Sequence, residues 1–318
     1  MHIPDGFING TTSLGAGVIA AGGVGGALRQ SAARLKDRQI PLAGLVAAFV
    51  FVLQMLNFPV LPGMSGHLLG GALAAILMGP SVAVVVVSVV IILQAMLFAD
   101  GGVSALGLNL INMAVVTTLS GWFMFRLVRA PFRASRRAVL GASFVAATLS
   151  VVVSAVMFVV EYAIGGVGGV NLFNVLLLMA GSHLLIGIGE GFITVAVVGA
   201  VLQARPDLVF GASDLTAEGG PRLPMKRFWI LAGVAAAILV SLTVFASSNP
   251  DGLQWVAEQT GFAQGAQGSL TATSPLSNYG AAGLSAGAGR IVAAAVGMVV
   301  TFLLGWVTFT ILRRRSPV

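Results

Sequence analysis

Apolar residues in this chain come in long uninterrupted blocks rather than at the helical or alternating spacing of a water-soluble fold. Stretches long enough for about 30 Å of hydrocarbon lie at roughly 13–28, 40–57, 66–79, 81–99, 107–125, 138–160, 172–202, 228–246 and 288–312. Short polar turns separate them, so the pattern predicts an all-α polytopic membrane protein with nine transmembrane helices. The third stretch is short, and Gly79-Pro80 breaks it from the fourth, so hydropathy alone leaves it open as a re-entrant segment. Charge decides between the two. With nine crossings and Met1 outside, the inner segments carry Arg29, Arg34, Lys36 and Arg38, then Arg126, Arg129, Arg133, Arg136 and Arg137. Arg205, Arg222, Lys226, Arg227 and finally Arg313, Arg314 and Arg315 follow, which leaves only Arg290 outside. Basic residues collect on the cytoplasmic side, so the N-terminus is expected outside and the C-terminus cytoplasmic, in the cell membrane.

Composition supports the class. Charged residues make up 8% and hydrophobic ones 57% of 318 residues, too few charges to cover a soluble surface. Cysteine is absent, which excludes disulfides, thiolate metal sites and thiol catalysis. The start lacks the basic region of a signal peptide, so the N-terminus is expected to be mature as written. Forty-two glycines predict helices packed by close backbone approach, with pairs four apart at Gly22/Gly26, Gly66/Gly70, Gly187/Gly191 and Gly283/Gly287. Polarity rises over 203–227, with Arg205, Pro206, Asp207, Asp214, Glu218, Pro221 and Pro224. This divides the chain into a seven-helix membrane domain (1–203), a cytoplasmic linker (204–227) and a two-helix hairpin (228–318). The hairpin's outer loop, about 247–287, opens with Asn249-Pro250-Asp251-Gly252, which is turn chemistry. The segment Leu253–Phe262 is expected to form a short amphipathic helix on the membrane surface.

Chemistry concentrates at the start, Met1-His2-Ile3-Pro4-Asp5-Gly6-Phe7-Ile8. The α-amine, the His2 amide nitrogen and the His2 imidazole Nδ1 can close a five- and a six-membered chelate ring around one ion. Three nitrogens in one plane suit Ni2+ or Cu2+ rather than tetrahedral zinc. Pro4 stiffens the arm just beyond the chelate. A fourth nitrogen is wanted, and His67 lies near the outer face, on the side of Met1. The metal set is therefore Met1, His2 and His67. Asn57, Ser65, Gln94, Asp100, Asn109 and Asn112 fall near the outer ends of their spans and are candidates to orient the ligands. His183 and Glu190, seven apart, share one helix face and are expected to serve packing or a partner interface.

Two other classes compete. Gly63-Met64-Ser65-Gly66 matches the GxSG motif of rhomboid intramembrane serine proteases, with His183 as a conceivable base. A self-powered pump needs GxxxxGK[ST], yet the only lysines are Lys36 and Lys226, and neither follows glycine. No catalysis is assigned to the chain, and ATP is expected to be handled elsewhere.

MHIPDGFI at the start, MLNFPVLPGMSGHLLGGALAAILMGP (55–80), QAMLFADGGVSALGLNLINM (94–113) and HLLIGIGEGFIT (183–194) together resemble the CbiM/NikM family. These proteins are the substrate-capture components of energy-coupling factor transporters for cobalt and nickel. The resemblance covers about 1–202. The loop after Asn249 resembles the PDGLE segment of the NikN-type component, although it reads Pro250-Asp251-Gly252-Leu253-Gln254 here and loses the last acidic residue. The resemblance implies a square plane of nitrogens from the Met1 amine, the His2 amide and imidazole and His67, with Ni2+ preferred and Co2+ second as transported substrate. It also implies a transmembrane coupling (T) component and ATPase subunits as partners.

Overall fold

The computed structural model describes residues 1–34, 39–132, 135–218 and 222–315. Of the residues singled out by sequence, Lys36, Arg38, Arg133 and Pro221 lie outside them. Helices α1 (Gly10–Arg34) and α2 (Ile40–Met55) precede a small hairpin of β1 (Phe58–Leu61) and β2 (Met64–Gly66). Then come α3 (Gly71–Met78) and α4 (Pro80–Leu97). Helix α5 (Leu106–Asn109), a π-helical stretch (Leu110–Val116) and α6 (Thr117–Arg129) form one continuous rod. The chain continues through α7 (Arg136–Gly165), α8 (Leu172–Ala204), α9 (Met225–Leu242), α10 (Gly252–Thr260) and α11 (Ala286–Arg315). Helix α7 lies along α8, α6 along α7, and α11 returns to lie along α2.

Among the described residues, seven helices are long and apolar enough to cross a membrane: α1, α4, the α5–α6 rod, α7, α8, α9 and α11. The chain is a multi-pass membrane protein. Two of the nine expected spans, 40–57 and 66–79, are not helices of that length. Helix α2, with 16 residues, is shorter than the others. Helix α3, with eight residues, rises only about 12 Å, so 66–79 is not a membrane-length helix. Its first part is irregular backbone, because Gly70 takes φ 82°, a conformation that side chains with a Cβ avoid. Irregular backbone at membrane depth is tolerated only where protein satisfies its polar groups, and here protein does. Glu190 on α8 accepts from the Leu69 N–H at 2.6 Å and the Gly70 N–H at 3.0 Å, while Gln54 donates to the Leu69 carbonyl at 2.7 Å.

The β1–β2 hairpin is the other departure from an all-α reading. Pro59 and the Pro62-Gly63 turn end α2 and prevent it from continuing, with Gly63 at φ 77°. On the opposite side of the bundle, Arg129 at the end of α6 pairs with Asp214 and the Gly211 carbonyl, so the basic end of α6 meets the segment after α8. Helix α10 forms with its apolar face turned to protein: Leu253, Val256 and Ala257 are buried, and the helix packs on α8. Farther along the same loop, Thr271 and Ser274 donate to the Ala95 and Leu97 carbonyls at 2.7 and 2.5 Å. The loop thereby covers the end of α4.

The four glycine pairs separate into two kinds. A Cβ on Gly187 stands 2.5 Å from the Thr148 carbonyl oxygen, and one on Gly66 stands 2.5 Å from Ile186. Gly70 and Gly191 are as crowded, whereas Gly22, Gly26 and Gly283 have open space and Gly287 only an ordinary contact. Gly187→Ala is therefore expected to destabilise the bundle by about 1–3 kcal/mol, and Gly22→Ala to change stability by less than about 0.5 kcal/mol. Thermal unfolding midpoints of the two variants in the same detergent check the difference.

Candidate metal centre

The first eight residues do not trail into solvent. Met1, Ile3 and Phe7 are 2%, 0% and 2% exposed, and His2 and Asp5 are buried with them. The arm is held along its whole length. Asn109 on α5 accepts from the Ile3 N–H at 2.7 Å and donates to the Ile3 carbonyl at 3.0 Å. The Gly102 N–H donates to the same carbonyl. Asp5 accepts from the Ser104 N–H at 2.7 Å and from the Ser104 hydroxyl at 2.5 Å. Gly6, at φ 91°, turns the chain where a Cβ would strike the Gly265 carbonyl, so only glycine fits. Beyond it, the Gln267 N–H donates to the Asp5 carbonyl, and Val167 and Asn9 bond the arm to the end of α7. Phe7 packs edge-on against Phe262 of the outer loop, ring centroids 5.0 Å apart.

This clamping brings the chain end to His67. The Met1 nitrogen lies 2.5 Å from His67 Nε2, and the His2 and His67 rings stack with centroids 5.1 Å apart. Hydrogen bonding selects the tautomer of His67. Its Nδ1 faces the Leu68 carbonyl at 3.0 Å, and a carbonyl only accepts, so Nδ1 carries the proton and Nε2 presents its lone pair to the amine. His2 Nε2 lies 3.0 Å from the side-chain amide of Gln94. Asp100 Oδ1 lies 3.2 Å from His2 Nδ1. Burial lowers the His2 pKa to about 4, with Asp100 opposing it, so the imidazole is neutral at physiological pH. Asp100 also accepts from the Tyr279 hydroxyl at 2.6 Å. Burial first, then the Asp100 charge, push that phenol well above its usual value, so it remains a donor.

Of the residues predicted from sequence, Met1, His2 and His67 converge, and Gln94, Asp100 and Asn109 touch the arm directly. Three others do not. Asn112 donates to Glu161 on α7 at 2.6 Å, because the π-helical stretch turns it toward α7. Asn57 offers its carbonyl to the Ser247 N–H at 2.8 Å, joining α2 to the hairpin. The Ser65 hydroxyl donates to the Asn249 and Pro250 carbonyls at 2.7 and 3.2 Å, which anchors the outer loop. With that proton committed to backbone, the serine has no base, and the protease alternative fails on geometry. His183 bonds the Met179 carbonyl at 2.9 Å and supports Gly252, where a Cβ would stand 3.0 Å from its ring. Glu190 holds the backbone that follows His67, as described above. Both side chains hold backbone that adjoins the site.

Sequence reasoning missed Asp251. It caps α10, its Oδ1 accepting from the Gln254 N–H at 2.8 Å, while Oδ2 lies 2.8 Å from the Met1 nitrogen and 3.7 Å from His67 Nε2. Burial by itself raises this carboxyl, but its polar partners, the Met1 ammonium first among them, outweigh burial and hold it well below the usual range. The Asp-Gly pair read as a turn, and nothing in the linear sequence joins residue 251 to residue 1.

Comparisons with known proteins agree on where this arrangement belongs. The family described as "Cobalt uptake substrate-specific transmembrane region" matches residues 2–208, and the PDGLE domain matches 226–314. A protein of Archaeoglobus fulgidus, provisionally named a fused nickel transport protein NikMN, is 34% identical over 96% of this chain and 97% of its own. The fused nickel transport protein NikMN of Rhodobacter capsulatus is 32% identical over 81% of this chain and 76% of its own. A provisionally named metal transport protein of Haloquadratum walsbyi is 40% identical over 66% of this chain and 94% of its own. Among solved structures, a truncated transition metal transporter superposes with TM-score 0.57 at 26% identity, covering 64% of this chain and 99% of that one. The chain is a nickel/cobalt-type metal transport protein that belongs to the CbiM family and carries a PDGLE domain behind its CbiM region.

Proposed function

We propose that this chain captures Ni2+, with Co2+ as second choice, in a square plane of four nitrogens: the Met1 amine, the His2 amide, His2 Nδ1 and His67 Nε2. The observation that carries the reading is the buried chain end, whose nitrogen lies 2.5 Å from His67 Nε2. Two nitrogens each about 2 Å from a common ion and at right angles lie about 2.8 Å apart, so amine and imidazole already stand nearly as neighbours in one plane would. The tautomer of His67 supports the same reading, since it presents the lone pair of Nε2. Copper binds such donors more tightly than nickel, so selectivity comes from geometry and availability. The preference for nickel draws on relatives named as nickel transporters across both parts of the chain.

Nine crossings with the N-terminus outside remain the proposed topology. Irregular 66–70 and α3 together make one broken crossing, and the contact of Arg129 with the segment after α8 agrees with a basic inner face. The division into 1–203, 204–227 and 228–318 goes with this topology. Inward movement is assigned to an energy-coupling factor complex, in which a transmembrane T component and ATPase subunits supply the work. This chain's share is to select the ion and to give it up when the helices around the arm are shifted.

One residue added before Met1 moves the amine away from His67 and is expected to abolish nickel binding to the purified protein by isothermal titration. His67→Ala is expected to do the same, and retention of native affinity by either variant rejects nitrogen ligation at this end. Asn109→Ala removes both hydrogen bonds to Ile3 while sparing every ligand. A loss of roughly 10–100-fold in nickel affinity is expected, the usual cost of losing a group that orients ligands.

A further inference from the structure

The geometry points to Asp251 of the hairpin's outer loop as an additional, oxygen ligand of the captured ion. The inference rests on the amine-ligation reading above and extends the site from the CbiM region into the PDGLE domain.

Three atoms define the argument. The Met1 nitrogen is 2.5 Å from His67 Nε2 and 2.8 Å from Asp251 Oδ2, and the last two are 3.7 Å apart. A ligand set at right angles to the plane of four nitrogens lies about 2.8 Å from each neighbour when every donor is about 2 Å from the ion. Asp251 Oδ2 already has that separation from the Met1 nitrogen, and reaches it from His67 Nε2 by closing the 3.7 Å gap by about 0.9 Å. The nitrogens offer lone pairs and the carboxylate an anion, so the triad is a mixed nitrogen and oxygen donor set.

Asp251 is held in place as a ligand must be. Its Oδ1 is committed to the N-terminus of α10, which fixes the direction of Oδ2. The backbone on either side is seated as well. Ser65 takes the Asn249 and Pro250 carbonyls. Gly252 packs on His183 and Ile186, where a Cβ would come within 3.0 Å of the imidazole and 2.6 Å of the isoleucine. Leu253 and Val256 are 1% and 0% exposed. The carboxylate thus arrives at the chain end by construction of the loop. Without metal it faces an ammonium, and with metal it faces a divalent cation in the same place, so its own charge has a partner throughout the exchange.

The test uses the full chain with its native N-terminus, purified in detergent and loaded with Ni2+ or Co2+ alone. Asp251→Asn keeps a side chain of the same shape that still caps a helix, so the loop retains its seat. An unchanged melting temperature of the metal-free protein verifies this. The ligand-field spectrum decides the matter. Exchange of the carboxylate for a neutral, weaker donor is expected to shift the visible bands of both ions and to lower nickel affinity at least about tenfold. Asp251→Ala is expected to shift the bands further. Spectra identical to the unaltered protein in both variants overturn the proposal, whatever happens to affinity, and make Asp251 only the counter-ion of the ammonium. The chain extended by one residue before Met1 separates the two readings. If it binds nickel with the native spectrum, amine ligation itself fails.

Discussion

A charged chain end buried among membrane helices is the constraint around which this protein is built. An ammonium taken out of water is costly unless it finds a counter-charge and hydrogen-bond acceptors. Here Met1 finds both, in Asp251 and in His67 Nε2. Neither acceptor comes from the arm itself: His67 leads into α3 and Asp251 caps α10 of the outer loop. The supports of that meeting are polar and buried: Glu190 under the Leu69-Gly70 turn, Asn109 on both sides of Ile3, Asp5 on Ser104. Each satisfies backbone groups that a regular helix would have satisfied by itself. The protein thus keeps buried irregular backbone in two places, the arm and the approach to α3, and both adjoin the same few atoms.

What the sequence disclosed follows from range. The convergence of Met1, His2 and His67 was legible because the chelate is local, three donor atoms within two residues, and because His67 is one of only three histidines. The membrane class and most helices were legible because hydropathy accumulates over long windows. Asn112 was placed near the outer end of its span, but which neighbour it meets is set by the π-helical stretch, where it donates to Glu161. The break at 66–79 was visible in Gly79-Pro80, but the extended entry through Gly66–Gly70 depends on Glu190, 120 residues away from Gly70. Asp251 lay beyond reach for the same reason. Its neighbours in sequence announce a helix cap, and its partner in space is the first residue of the chain.

Glycine shows the same division between composition and context. Counted in the sequence, the four spaced pairs look alike. In the fold, Gly187 and Gly191 let α8 lie directly on α7, and Gly66 and Gly70 let the His67 strand pass between Ile186 and Val50, while Gly22 and Gly26 face outward with nothing against them. Spacing identifies a helix that can be approached closely. Only the neighbour decides whether it is.

The seat of Gly252 on His183 and Ile186 has a consequence for how the two parts of the protein are joined. The Haloquadratum relative aligns with 66% of this chain over 94% of its own length, whereas here Asp251 and His67 belong to one polypeptide. Covalent fusion makes the arrival of the loop at the chain end an intramolecular event, at an effective concentration of the order of millimolar for a short tether.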